Sequence, residues 1–182
     1  MENRGRLAIV AGTGRNSGKT LFSVRLIERH REQGIIAVKI SRHDHTPSAG
    51  SKLVASGPGY TICRESSSSG NKDSELMLAA GAAESYYISA GEESVIRAFN
   101  KLLQLIPPSN PIICESPVLA LLVNPGLLVV TDSNNVVNRK EISGILSRCD
   151  LVTKPARVME DIMKISLINN MWHLPREEQV FI

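Results

Sequence analysis

Aromatic side chains are scarce in this 182-residue chain: one Trp, three Tyr and three Phe, 4% of the total. Proteins that hold single-stranded nucleic acid use such rings as stacking platforms, so no nucleic-acid partner is expected. Cysteine is rarer still. Cys63, Cys114 and Cys149 are widely separated and form no Cys-x-x-Cys pair, which argues against a zinc framework or a disulfide scaffold. They read as small apolar residues in a reducing compartment, with Cys63, in a polar stretch, the one candidate for reactivity. No apolar run approaches a membrane span, and the run at residues 7–11 is too short for a signal-peptide core. A cytoplasmic protein without a membrane partner is therefore the expectation. A strong charge of one sign is missing too. Lys and Arg number 21 against 18 Asp and Glu, and the net +3 suits phosphate-bearing small molecules at least as well as nucleic acid.

What the chain does have is 42% hydrophobic residues, enough for a single domain over residues 1–182 with its own core. Residues 7–11, 35–40, 84–89, 111–115, 126–131, 150–153 and 179–182 read as strands, several of them nearly unbroken β-branched runs. Helical patterns fall at 20–33, 74–82 with Asp73 as a cap, 92–106, 141–147 and 157–169. Residues 41–71, rich in Gly, Pro and Ser, read as a long functional or mobile loop with a short strand at 60–62. The alternation predicts an α/β fold of the P-loop NTPase type. That is a three-layer sandwich with a mainly parallel sheet, helices on both faces, and ligands at the carboxyl ends of the strands.

One motif carries the chemistry. Gly12-Thr13-Gly14-Arg15-Asn16-Ser17-Gly18-Lys19-Thr20 stands between the first strand and the first helix. In such a loop backbone N–H groups point inward at phosphate oxygens, and the helix N-terminus adds the positive end of its dipole. Gly14, Arg15, Asn16, Ser17, Gly18, Lys19 and Thr20 are the expected cofactor-binding residues, with Lys19 on the outer phosphates and the Thr20 hydroxyl on magnesium. The usual pattern has glycine at position 13, where this chain has threonine. A Gly-Lys-Thr tripeptide also occurs in plain surface turns. The strand before it and the helix after it are what favour a nucleoside triphosphate, GTP or ATP, with Mg2+.

Three more residues fall beside those phosphates. Lys39 interrupts an apolar strand near its carboxyl end, and a buried lysine needs an anion. Glu115 closes the strand 111–115, where a phosphate site keeps an acidic residue near magnesium. Asp73 reads equally as a second magnesium partner and as a helix cap. Lys19, Lys39 and Glu115 are thus the candidate catalytic residues, and Thr20, Glu115 and Asp73 the candidate metal ligands. His43-Asp44-His45 lacks the second cluster that zinc would need, and contact with magnesium or substrate suits it better. Asn134, Asn135 and Lys154 follow later strands, where a base would be read.

These residues, taken together, resemble a known family. Asn16-Ser17-Gly18-Lys19-Thr20, Val38-Lys39, His43 and His45, Lys72-Asp73-Ser74, Ala80-Gly81-Ala82 and the strand ending in Glu115 are similar to the MobB-like proteins of molybdenum cofactor biosynthesis. The resemblance runs from residue 7 to about residue 130. It implies a small P-loop fold binding GTP with Mg2+, a role as adapter to a molybdopterin nucleotidyltransferase, and a homodimer. Lys39-Ile40 and Glu115-Ser116 depart from the family's Lys-His and Glu-Gly. Gly12-Thr13 ahead of Gly18-Lys19-Thr20, with Lys39 and Glu115, also resembles dethiobiotin synthetases and their cobyrinate-amidating relatives. That second resemblance implies ATP-dependent activation of a small carboxylate, although Ser116-Pro117-Val118 replaces those enzymes' glycine-rich run.

Overall fold

Strand β1 (Leu7–Gly12) is buried at every position. Successive side chains of a strand face opposite ways, so such a run needs cover on both sides. The computed structural model, which describes residues 4–14, 16–42, 50–133 and 143–175, provides it. Ala8 and Val10 pack with Phe22 and Leu26 of α1 (Lys19–Arg29), Met77 of α2 (Asp73–Ala79) and Ile162 of α6 (Val158–Met163). Leu7, Ile9 and Ala11 pack with Phe99 of α3 (Val95–Leu103), Leu119 of α4 (Pro117–Leu122) and Ile145 of α5 (Ser143–Leu146). Helices therefore cover both faces of the sheet, and the fold is an α/β sandwich of three layers.

The sheet also contains β2 (Ile36–Ser41), β3 (Lys52–Gly57), β4 (Tyr60–Arg64), β5 (Glu84–Ala90), β6 (Ile112–Glu115), β7 (Leu127–Thr131) and β8 (Leu151–Thr153). Their spatial order is β3-β4-β5-β2-β6-β1-β7-β8. From β5 to β8 all pairings are parallel, while β3 and β4 join antiparallel at the β5 edge. Among the described residues no helix is long and apolar enough to cross a membrane.

Three stretches differ from the sequence reading. In the span read as a long loop, residues 52–64 form a hairpin turned at Pro58-Gly59. β3 is an edge strand without a single buried position, so it carries no hydrophobic pattern to read. Cys63 lies buried on β4, and burial together with the Glu65 charge pushes its thiol pKa up. The polar-loop setting that made it a reactive candidate is absent. Helix α4 was missed. Ser116 caps it, accepting from the Leu119 N–H at 3.0 Å, and Pro117 takes the first helical position.

The helix expected over 157–169 ends at Met163, and a second small sheet follows. Strands β9 (Ser166–Ile168) and β10 (Met171–His173) pair across Asn169 and Asn170, at φ 51° and 61°. Two successive left-handed residues suit the tight turn whose twist matches its strands, and Asn tolerates that conformation. Trp172 anchors the hairpin by donating from Nε1 to the carbonyls of Arg6 (3.0 Å) and Ile112 (3.1 Å). Its ring meets His30 edge-on at 5.8 Å. The strand expected at 179–182 lies outside the described residues.

Candidate functional site

β1 ends between β6 and β7, and the chain diverges there. Helix α1 follows β1 on one face of the sheet, and α4 follows β6 on the other. Divergence of this kind opens a crevice at the carboxyl ends of the strands. The glycine-rich loop borders it. A Cβ on Gly12 would stand 2.2 Å from Ser17 Oγ and 2.9 Å from both Lys19 Cγ and Thr131 Oγ1, so only glycine fits. Asn16 and Gly18 turn the loop at φ 55° and 93°. Gly18 caps α1 without a side-chain hydrogen bond, and the first turn holds no acidic residue. The positive end of the helix is thereby left for an anion. Lys19 arches back over the loop, donating from Nζ to Gly14 O at 2.9 Å and to Ser17 Oγ at 3.2 Å.

Thr13, the departure from the usual pattern, is fully buried and works as a fastener. Its Oγ1 accepts from the Ser133 N–H at 2.7 Å, and its own N–H donates to Thr131 O at 3.1 Å. Beside it Ser17 Oγ and Thr131 Oγ1 share a hydrogen bond of 3.0 Å. The loop is thus tied to the end of β7 and to Ser133 just beyond it, and the bond to Ser133 is the one that a glycine at 13 would lack. Thr131 and Ser133 were not among the residues singled out from sequence. The only hint of them was the misplaced threonine.

At the foot of α1 four side chains converge from four elements. Thr20 Oγ1 donates to Asp73 Oδ1 at 2.8 Å and lies 3.5 Å from Glu115 Oε2. Lys39, near the end of β2, bridges both acids, with Nζ 2.5 Å from Asp73 Oδ2 and 3.1 Å from Glu115 Oε2. Burial alone would lower the Lys39 pKa, but Glu115 and then Asp73 outweigh it and hold the ammonium above the ordinary lysine range. For Asp73 burial pulls upward, yet the Lys39 charge and the bonds from Lys39 and Thr20 keep it below the usual carboxylate range. The Glu115 side chain is fully buried, and its Oε1 has no hydrogen-bond partner among the described residues. A buried carboxylate oxygen left unpaired is costly, and such atoms mark places where a ligand completes the set.

Asp73 does not cap its helix. Lys72 holds the cap position and donates its N–H to Glu75 Oε2 at 3.0 Å, which leaves the Asp73 carboxylate free to turn toward Thr20 and Lys39. Two carboxylates and a hydroxyl are hard oxygen donors of the kind that suit Mg2+. No group of three His, Cys, Asp or Glu closes a metal cage among the described residues. The remaining positions around a cation would fall to water and phosphate, which is the habit of Mg2+. Arg15, His43, Asp44, His45, Asn134 and Asn135 lie outside the described residues. Lys154 is exposed after β8, and its neighbour Pro155 packs against Gly18, with Cγ 3.1 Å from where a Cβ would stand.

No family model matches the chain, and comparison with curated proteins and with solved structures likewise gives no match. Fold and site together define a class. The chain is an α/β protein whose parallel sheet carries a charge-lined crevice at the carboxyl ends of its central strands.

Proposed function

We propose that the chain is a P-loop protein that binds a nucleoside triphosphate with Mg2+, GTP by preference. In this reading it serves in the cytoplasm as a MobB-like adapter to a molybdopterin nucleotidyltransferase. The observation that carries the nucleotide part is the meeting of Thr20, Asp73 and Glu115 at the foot of α1, beside a loop crossed by Lys19. When bound, Mg2+ supplies charge neutralisation for the triphosphate. Thr20 would hold it directly, with Asp73 and Glu115 on its other side. Lys19 exchanges a carbonyl partner for a phosphate oxygen, and the α1 N-terminus receives the inner phosphates. Such a site works by position and charge, and needs no nucleophilic side chain of its own.

The adapter part rests on the sheet edge. Leu53 is 57% exposed on β3, an apolar side chain on an unpaired strand edge, and that favours a protein partner or second copy. Lys39 at the crevice favours a second reading, ATP-dependent activation of a small carboxylate, since its ammonium is placed to meet an anion.

Calorimetric titration with GTP and with ATP in Mg2+ tests both. Wild-type protein is expected to bind GTP more tightly than ATP. Lys19→Ala should weaken either by at least about tenfold, because a hydrogen bond to a charged group contributes about 1.5–3 kcal/mol. Unchanged affinity of Lys19→Ala for both nucleotides would sink the phosphate-site reading, and a preference for ATP would move it to the carboxylate-activating one.

A further inference from the structure

Lys39 stands where a divalent cation would have to stand. Its Nζ lies between Asp73 Oδ2 and Glu115 Oε2, and the same two carboxylates face Thr20 Oγ1. An ammonium and a metal ion held between the same two carboxylates would repel one another, since Lys39 already engages an oxygen of each. With Lys39 in place the two acids and the lysine carry a net charge of −1, and the nearby Lys19 ammonium brings these four groups to neutrality. A metal ion entering alone would leave two positive charges unmatched in a partly buried site, which is unfavourable.

We infer that Lys39 is a displaceable counter-ion that bars the divalent cation from Asp73 and Glu115 until an anion arrives with it. Identifying that anion as a triphosphate rests on the function proposed above, whereas the exclusion of the bare cation does not. A metal carried in on phosphate brings the negative charge that lets the Lys39 ammonium leave the carboxylates for phosphate oxygens. Cation and anion then each raise the other's affinity by the same factor, and Lys39 is the residue through which that coupling passes. Without Lys39 the acids alone would attract the metal, and the coupling would collapse.

The test uses Mn2+ alone, without nucleotide, followed by its paramagnetic resonance signal and by thermal unfolding. Wild-type protein should bind Mn2+ weakly and keep its Tm. Lys39→Met should bind at least tenfold more tightly and gain Tm on adding Mn2+. Lys39→Gln, which keeps a polar group in the gap, should gain in the same direction and serves if the methionine variant folds poorly. In the double variant Lys39→Met with Glu115→Gln, the gain should disappear. Equal Mn2+ affinity of wild type and both single variants overturns the inference, as does a gain that survives Glu115→Gln. Since no nucleotide is present, this result can fail while the Lys19→Ala titration succeeds, and the reverse.

Discussion

At the amino ends of β1 and β6 Trp172 packs over one face of the sheet while a pocket lined by Arg6, Leu7, Phe99 and Ile112 opens beside it, whereas the carboxyl ends of the same two strands are lined with charge. Trp172 satisfies the Arg6 and Ile112 carbonyls through its indole, and its own N–H donates to Gly5 O at 2.9 Å. Arg6 adds a bond to Asn110 O at 2.7 Å. The strand carbonyls there are matched by the indole and by one guanidinium, and the buried His30 Nε2 beside Trp172 has no hydrogen-bond partner among the described residues. At the other end Glu115 Oε1 is left unmatched, and a lysine is held between two acids. The same strands thus carry an end held by a neutral aromatic anchor, which contributes stability, and an end where charged groups converge, which can take a ligand. Groups left short of partners in the folded state are where a protein departs from its own packing rules, and such departures cluster at working sites.

The sharpest way to break the comparison is Trp172→Ala. It removes a nearly fully buried ring, and aromatic truncations of this kind cost about 3–5 kcal/mol. Denaturant unfolding should show that loss while the folded fraction keeps the nucleotide affinity proposed above. A parallel loss of ligand affinity would mean that the two ends are not separate. A smaller effect is expected at the carboxyl end. Thr13→Val removes the acceptor of the Ser133 N–H, a buried donor, at about 1–3 kcal/mol. Here the nucleotide affinity proposed above should fall slightly as well, because the loop loses its tie to Ser133 while the Thr13 N–H and Ser17 still hold it to Thr131; unchanged affinity would make the Thr13 hydroxyl purely structural.

The smallest effects separate the two ends by pH. His30, packed against Trp172, has its pKa lowered from 6.5 by burial, with the Arg29 charge acting in the same direction and a backbone bond at Ile165 opposing. The unfolded chain therefore takes up the proton first, so stability is full above about pH 6.5 and falls as pH drops through the lower folded value. Asp73 is held below 3.8, so its contribution is full above about pH 3.8 and is lost below it. Unfolding free energy measured against pH should show two steps. His30→Leu should flatten the upper one and Asp73→Asn the lower.

Much of this fold was legible because its central strands are covered on both faces. β1, β2, β5, β6 and β7 each lie within a residue or so of the runs read as strands, since a two-sided strand is mostly apolar, β5 with Glu84, Ser85 and Ser89 being the most polar of them. β3 has no buried position, and β9 and β10 are three residues each, so neither offered a period to count. In the site the same divide holds. Gly12, Gly18, Lys19 and Thr20 announce themselves by local spacing. The meeting of Lys39 with Asp73, and of Thr13 with Ser133, depends on how the sheet brings distant segments together, and spacing carries no trace of it.

The tie between Thr13 and Ser133 joins residues 120 apart in the chain, and it bears on the order of folding. Closing so long a loop waits on the sheet pairing that brings its ends together. A nascent chain that has emerged only through β6 already contains every residue of the motif at 12–20, yet β7 is not there to fasten it. The glycine-rich loop therefore cannot be fastened until the chain has been made through Ser133. A half-made chain thus carries the motif without the neighbouring strand that holds it in shape.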